Sequence, residues 1–178
     1  MSTKKKLIYF LIPAVVGFSS YALASELTLT ARPINETNSH PPNLLTQKDY
    51  IVELLQLTNA EREKVGSPPL KLNAKLFRAA QRHAEDMAEN NFFSHTGFNG
   101  SSMSDRLEEV GYSWKRIAEN ISAGQSSPED TMERWMNSSG HRGNILNPQL
   151  KEIGIGYATN SRSQYRHYWV QVFATHSN

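Results

Sequence analysis

Apolar residues recur at helical spacing in the first half of the chain. An amphipathic helix is predicted after Asn73, because its apolar positions are four, three and four residues apart. That stripe comprises Leu76, Ala80, His83 and Met87. An earlier helix is predicted from about Thr46, whose hydroxyl can cap it, to a stop at Gly66. Its inner stripe comprises Ile51, Leu54, Leu55 and Thr58.

Two shorter helices are predicted from their start and stop signals. One lies around residues 104–110, where Gly111 stands ready to stop it. The other begins at Ser127, because a hydroxyl cap is followed by Pro128 at the first helical position and by two acids. We expect Gly140 to end it. Its buried face comprises Met132, Trp135 and Met136.

Three segments have the pattern of strands. Residues 117–121 alternate, residues 168–174 are apolar at nearly every position, and residues 153–158 are bulky on one face only. Gly154 and Gly156 leave the other face small, so that a helix can approach it closely. Strands that are covered on both faces and interleaved with helices predict an α+β fold, a three-layer α-β-α sandwich.

The N-terminus has the three-part pattern of an export signal. Lysines precede an apolar run that is too short to span a bilayer comfortably, and Ala22-Leu23-Ala24 provides a cleavage site. An uncleaved N-terminal anchor is the alternative. We therefore predict a signal peptide over residues 1–24, a mobile tether over 25–43 and one domain over 44–178. The mature protein is then secreted or periplasmic, has no transmembrane segment, and is expected to be a monomer.

The charge of the mature chain limits the classes of binding partner, and its cysteine content limits how the fold is stabilised. Cleavage removes three lysines and no acid from the 19 basic and 17 acidic residues, which leaves 16 basic and 17 acidic side chains. A mature chain without a basic excess gives no reason to expect a nucleic-acid partner. The chain has no cysteine, so it relies on packing rather than disulfides.

Two of the six histidines are predicted on loops next to packed helices, where functional groups tend to lie. His95 follows a predicted helix and two aromatic residues, and His141 follows the predicted helix end at Gly140. His83 lies on an apolar helical stripe, where a hydrogen-bonded core histidine is the more common finding.

Glu119 is the third candidate, because its side chain shares a strand face with Ile117 and Ile121. A carboxylate on an apolar face needs a partner, which a histidine, a metal ion, an arginine or backbone amides can provide. Together with His95 and His141 it makes the ligand set of an open zinc site. The three residues are more than twenty positions apart, so their spacing gives this hypothesis little support.

Several segments together resemble the CAP or SCP superfamily of cysteine-rich secretory, antigen 5 and pathogenesis-related proteins, in particular its short bacterial branch. The resemblance covers about residues 54–173. The matching segments, in chain order, are NAER (59–62), AEDMA (84–88), FSHTG (93–97), AENI (118–121), WMNSSGHR (135–142), NIL (144–146) and GIGY (154–157).

The resemblance implies the α-β-α sandwich and a cleft of two histidines and two acids, which in some members holds zinc or another divalent ion. The histidines fall on His95 and His141, and the first acid falls on Glu119. Family members that have the second acid carry it three residues after the tryptophan, and this chain has Ser138 at that position. Glu133 lies five residues away and is interpreted as a solvated helix residue.

The sequence leaves two functions open, because fold alone does not determine function. The first is a module that binds a small molecule, a lipid or an envelope polymer, with aromatic cleft walls drawn from Phe93, Tyr112, Trp114 and Trp169. The second is a metal-dependent, peptidase-like hydrolase that uses the same cleft, with Glu119 as a ligand or as the base on a metal-bound water. Ordinary core packing is the alternative for the aromatic residues, above all for Trp169.

Overall fold

The computed structural model describes residues 44–177, with side chains from Gln47 onward. The predicted signal peptide and tether lie outside the described residues. No helix within residues 44–177 is long and apolar enough to cross a membrane. The elements in chain order are α1 (Leu44–Lys64), β1 (Lys71–Leu72), α2 (Ala74–Glu89), α3 (Met103–Glu109), β2 (Trp114–Ala123), α4 (Pro128–Met136), α5 (Ser139–Leu146), β3 (Glu152–Thr159) and β4 (His167–His176).

The strands form one mixed sheet in the order β1-β3-β4-β2. β4 pairs antiparallel with both β2 and β3, and β1 pairs parallel with β3. The three predicted strands are all present, each longer than its apolar pattern. The sequence did not predict β1, because a strand of two residues is too short to show periodicity.

Helices cover both faces of the sheet, which confirms the predicted sandwich. Along β4, Tyr168, Val170 and Val172 pack into one core with α2 and α3. Trp169 and Phe173 point the other way, into a second core with α1, α4 and α5. The nearly continuous apolar run of β4 therefore has the predicted cause, burial on both faces.

Helix α2 lies directly on the small face of β3. Its predicted stripe is buried, and Asn73 caps its start by accepting hydrogen bonds from Lys75 N and Leu76 N. A Cβ atom added to Gly154 would lie 2.0 Å from the Leu76 carbonyl carbon. One added to Gly156 would lie 2.3 Å from the Ala80 carbonyl oxygen. The absence of side chains at both glycines thus permits the predicted close approach.

The predicted cap at Thr46 and the predicted helix end at Gly140 were wrong. Helix α1 begins at Leu44, so Thr46 lies inside it, because residues 44–46 contain no helix breaker. Helix α4 ends at Met136, and Ser138 then adopts an extended backbone before α5 begins at Ser139. Gly140 therefore lies inside a helix and does not end one. Burial of Ile145 anchors α5 and offsets the low helix propensity of its glycines.

Arg62 fixes the far end of α5. Its guanidinium is fully buried on α1 and donates hydrogen bonds to four backbone carbonyls. The acceptors are Pro68 O, Ile145 O, Asn147 O and Leu150 O. Burial lowers the pKa of Arg62. This side chain ties α1 to the segment that joins α5 to β3, and so holds the helix that carries His141.

Candidate functional site

The predicted carboxylate lies on β2 with both of its oxygens engaged. Glu119 is only 8% exposed. Its Oε1 lies 2.8 Å from His95 Nδ1, and its Oε2 accepts a hydrogen bond of 2.7 Å from Arg106 Nη2. Of the partners that the sequence left open, a histidine and an arginine are therefore both present.

Arg106 is the residue that sequence reasoning missed. It lies on α3, is 7% exposed, and donates from Nη1 to His95 O and to Ser101 O. Burial alone raises the pKa of Glu119, but the hydrogen bond from His95 and the charge of Arg106 outweigh it and lower that pKa below its ordinary value. Glu119 is thus an ionised carboxylate that holds the loop of His95 in place.

His95 is oriented but open to solvent, with 58% of its side chain exposed. An ionised Glu119 can only accept, so it fixes the proton of neutral His95 on Nδ1. The other ring nitrogen, Nε2, is then the free acceptor. This is the arrangement in which a carboxylate sets the tautomer of a ligand-binding imidazole.

His141 lies on α5, the third residue of that helix, and not on a loop as predicted. Its backbone carbonyl accepts a hydrogen bond from Asn120 Nδ2, which ties α5 to β2. Its Nδ1 is buried without a hydrogen-bond partner among the described residues. Burial lowers the pKa of His141, and the charges of His95 and Arg134 lower it further. The neutral imidazole is therefore favoured.

The two histidines line one cavity of about 340 Å³, which we call the His-cleft. It is bounded by Phe93, Ser94, His95, Ile121, Arg134 and His141. Glu119 lies behind this wall, bonded to His95. The structure thus brings all three predicted residues to one place, two of them at the surface of the cavity and one beneath it.

Of the three predicted ligands, the two histidines have a ring nitrogen without a hydrogen bond within residues 44–177, whereas the carboxylate does not have a free oxygen. Both Glu119 oxygens are already engaged by His95 and Arg106, whereas His95 Nε2 makes no hydrogen bond within residues 44–177. Within residues 44–177 no group of three or more His, Asp or Glu side chains is placed to hold one metal ion. The two imidazoles are the protein ligands that remain for a metal ion, and metal binding stays a prediction.

Comparison with known proteins decides the family. Residues 55–173 match the cysteine-rich secretory protein family, CAP. The chain belongs to this family. The resemblance seen in the sequence is thereby confirmed.

Bacterial proteins are among the relatives of this CAP domain. YkwD of Bacillus subtilis is 39% identical over 150 residues, which cover 84% of this chain and 55% of YkwD. An extracellular protein with an SCP domain from Bacillus anthracis is 29% identical, with a TM-score of 0.66 over 76% of this chain and 45% of that one. The chain spans about half the length of each.

An outer surface protein of Borrelia burgdorferi is similar in fold. It is 20% identical, with a TM-score of 0.69 over 78% of this chain and 98% of that protein. At this identity the likeness supports the fold alone. It agrees with the sandwich seen here.

A second, larger concavity of about 730 Å³ adjoins the His-cleft and shares Arg134 and His141 with it. We call it the side groove. Its further polar side chains are Gln125, Ser126, Asp130, Glu133, Asn137 and Ser138. Glu133 is exposed on α4, in agreement with its interpretation as a solvated residue, and Ser138 occupies the position expected for a second acid.

Only one of the four proposed aromatic wall residues lies at the His-cleft of this CAP domain. Phe93 lines it and is 42% exposed. Trp169 is fully buried with its indole N–H bonded to Gln125 O, as the core alternative expected. Tyr112 and Trp114 line a different concavity near the C-terminus. The sequence could not show which of these aromatic residues line a cleft, because aromatic side chains are common both in cores and on cleft walls.

His83 is a core residue, as expected. It is 1% exposed, and its Nε2 lies 2.9 Å from Ser94 O, so the neutral ring donates from Nε2 and leaves Nδ1 unprotonated. Nδ1 has no hydrogen-bond partner among the described residues. Burial and the charge of Arg106 lower the pKa of His83, while Glu119, the Ser94 bond and Asp86 act in the opposite direction.

Acid is therefore expected to destabilise the CAP domain through His83. The unfolded chain binds a proton on this residue near its ordinary pKa of 6.5, whereas the folded chain does so only at lower pH. Stability is consequently lost as the pH falls below about 6.5. Urea midpoints measured between about pH 7.5 and 5.5 should fall for the wild type.

A His83→Gln variant separates this contribution from those of other groups. Its amide N–H can still donate to Ser94 O, but it has no group that titrates in this range. We expect a lower midpoint overall and a flatter dependence on pH. His141 and His167, whose pKa values are also lowered by burial, account for the slope that remains. Equal slopes in wild type and variant would exclude the role of His83.

Proposed function

We propose that this CAP domain is a ligand-binding module that works outside the cytoplasm, with the His-cleft as its binding site. Support for the location comes from the export signal in the sequence and from the Bacillus anthracis relative, which is described as extracellular. The observation that carries the binding site is that His95 and His141 line one cavity while buried Glu119 orients His95.

A divalent ion such as Zn²⁺ is the cofactor that this cleft would hold. His95 Nε2 and the ring of His141 would be the ligands, and Glu119 would orient His95 from behind. The neutral form favoured at His141 is the form that binds metal. A bound ion would supply positive charge for an anionic ligand group, beside the guanidinium of Arg134.

Zinc or copper titration of the exported protein, with elemental analysis, tests this site. We expect stoichiometric binding in the wild type and none that saturates in a His95→Ala, His141→Ala variant. The variant should fold, since neither imidazole is fully buried. A His176→Ala variant is the matched control. It also removes an exposed imidazole, but His176 is the last residue of β4 and does not line the His-cleft.

Either of two results would contradict the proposal for a metal. The first is no binding by the wild type at micromolar metal. The second is unchanged binding in the double variant, which would place the metal elsewhere. Unfolding of the double variant, followed by circular dichroism, would instead assign the two histidines a structural role.

A hydrolase is the second candidate, and the His95–Glu119 hydrogen bond favours it. A histidine oriented by a carboxylate can act as a general base on a water molecule or a substrate hydroxyl. Assays of peptide hydrolysis with and without zinc discriminate the two functions. Turnover that is abolished by His95→Ala would support the enzyme, whereas binding without turnover supports the module.

A further inference from the structure

The side groove continues the His-cleft along α4. Arg134 and His141 belong to both concavities, so a ligand that enters the His-cleft can extend past them. The two concavities, of about 730 and 340 Å³, leave room for a ligand that extends from one into the other.

Several polar side chains that line the side groove are not engaged by other residues of the described part of the chain. Within residues 44–177, the side chains of Glu133, Arg134 and Asn137 make no hydrogen bond or salt bridge, although they lie on one helix end. Ser138 occupies the N-cap position of α5 and makes no cap hydrogen bond. Gln125 accepts a bond from Ser122 Oγ at Oε1, and its amide N–H groups make no hydrogen bond to any other described residue.

This lining favours a hydroxyl-rich ligand over an apolar one. Side-chain amides and hydroxyls both donate and accept, as do the hydroxyl and acetamido groups of sugars. The residues that line the side groove include no large apolar side chain, which argues against a lipid chain. Asp130 and Glu133 would repel a polymer with phosphate at every unit. Arg134 provides one cation, which suits an occasional carboxylate.

We propose that the side groove binds a glycan strand of N-acetylated amino sugars that carries carboxylate groups. The sugars contact Gln125 and Asn137, and one carboxylate pairs with Arg134 at the entrance of the His-cleft. This inference rests on the proposed ligand-binding function and names its ligand class. Arg134 then determines specificity, because it distinguishes a carboxylate-bearing strand from a neutral one.

Isothermal titration calorimetry of the exported protein with two soluble probes tests the proposal. One probe is an N-acetylglucosamine tetramer, and the other is a tetramer of alternating N-acetylglucosamine and N-acetylmuramic acid, which carries carboxylates. We expect the second to bind more tightly. Gln125→Ala with Asn137→Ala should weaken both by about tenfold, the effect of losing two hydrogen bonds. Arg134→Gln should remove the preference between them.

Arg78→Gln is the matched control, because Arg78 is an exposed arginine on α2. It should leave both affinities and their ratio unchanged. Zinc titration runs beside each measurement and reports on the His-cleft alone. Saturable zinc binding without binding of either tetramer would overturn the glycan proposal and leave the proposed function intact. Tetramer binding that survives the Gln125 and Asn137 substitutions would overturn the side groove as its place.

Discussion

Gly154→Ala is expected to be among the most destabilising substitutions in the domain, although it adds only one methyl group. The added Cβ would lie 2.0 Å from Leu76 C and 2.2 Å from Leu76 O. These are backbone atoms of α2 and cannot rotate away, so the helix must lift from the sheet. We expect a loss of about 3 kcal/mol, the upper end for an overpacked core. In thermal melting this corresponds to a decrease of roughly 10 °C in Tm.

Gly143→Ala is the control for this substitution. It also adds one methyl group, but nothing lies within 4 Å of the new Cβ, and Gly143 sits inside α5. Alanine should there be neutral or stabilising by up to about 1 kcal/mol, because glycine is the poorer helix former. Equal Tm values for the two variants would show that α2 can move away from β3 without cost.

Displacement of α2 from β3 is also expected to disturb the His-cleft. Helix α2 leads directly into the loop that carries Phe93 and His95, and its buried His83 bonds that loop at Ser94 O. A helix displaced from β3 would therefore also displace His95 from Glu119. From the sequence, the small face of β3 indicates only that a helix packs closely there. In the structure it also helps to position the His-cleft.

The sequence predicts much of the fold because its periodicities are strong. The stripe of α2, the Ser127 start of α4 and the strand over residues 168–174 were all recognisable and all confirmed. Helix α5 was not, since eight residues with two glycines give no amphipathic pattern. Its stability comes from burial of Ile145 and from the carbonyls held by Arg62, and such tertiary contacts leave no local signal.

The candidate site could be predicted only in part. Glu119 was identified because a carboxylate on an apolar strand face needs a partner. His95 and His141 were identified because each follows a predicted helix end, and the resemblance to CAP proteins then assigned all three to one cleft. Arg106 was not identified, because an arginine on a short polar helix is normally solvated. Its burial follows from its hydrogen bonds to the loop of His95 and to Glu119, and these tertiary contacts leave no periodic pattern in the sequence. The only indication of Arg106 in the sequence was that Glu119 needed a partner, for which an arginine was one of the possibilities.

Removal of the Glu119 carboxylate is the second substitution with a large expected effect. In Glu119→Ala, Arg106 stays buried and loses the carboxylate that compensates its charge. Breaking one partner of a buried pair typically costs about 3–5 kcal/mol. Urea unfolding of Glu119→Ala should show this loss. A loss below about 1 kcal/mol would mean that water reaches the guanidinium and that the pair behaves as a surface ion pair.

A double variant separates stability from the role of the carboxylate in the cleft. Replacing a buried pair by apolar side chains of similar volume is often neutral, so Arg106→Met with Glu119→Leu should recover most of the lost stability. It does not restore the acceptor for His95 Nδ1. The ¹⁵N spectrum of His95 should then shift away from the Nδ1–H tautomer, and any zinc affinity should fall about 10–100-fold. A stable double variant with the wild-type tautomer would show that the loop alone orients His95, and the Glu119–Arg106 pair would then contribute only to packing.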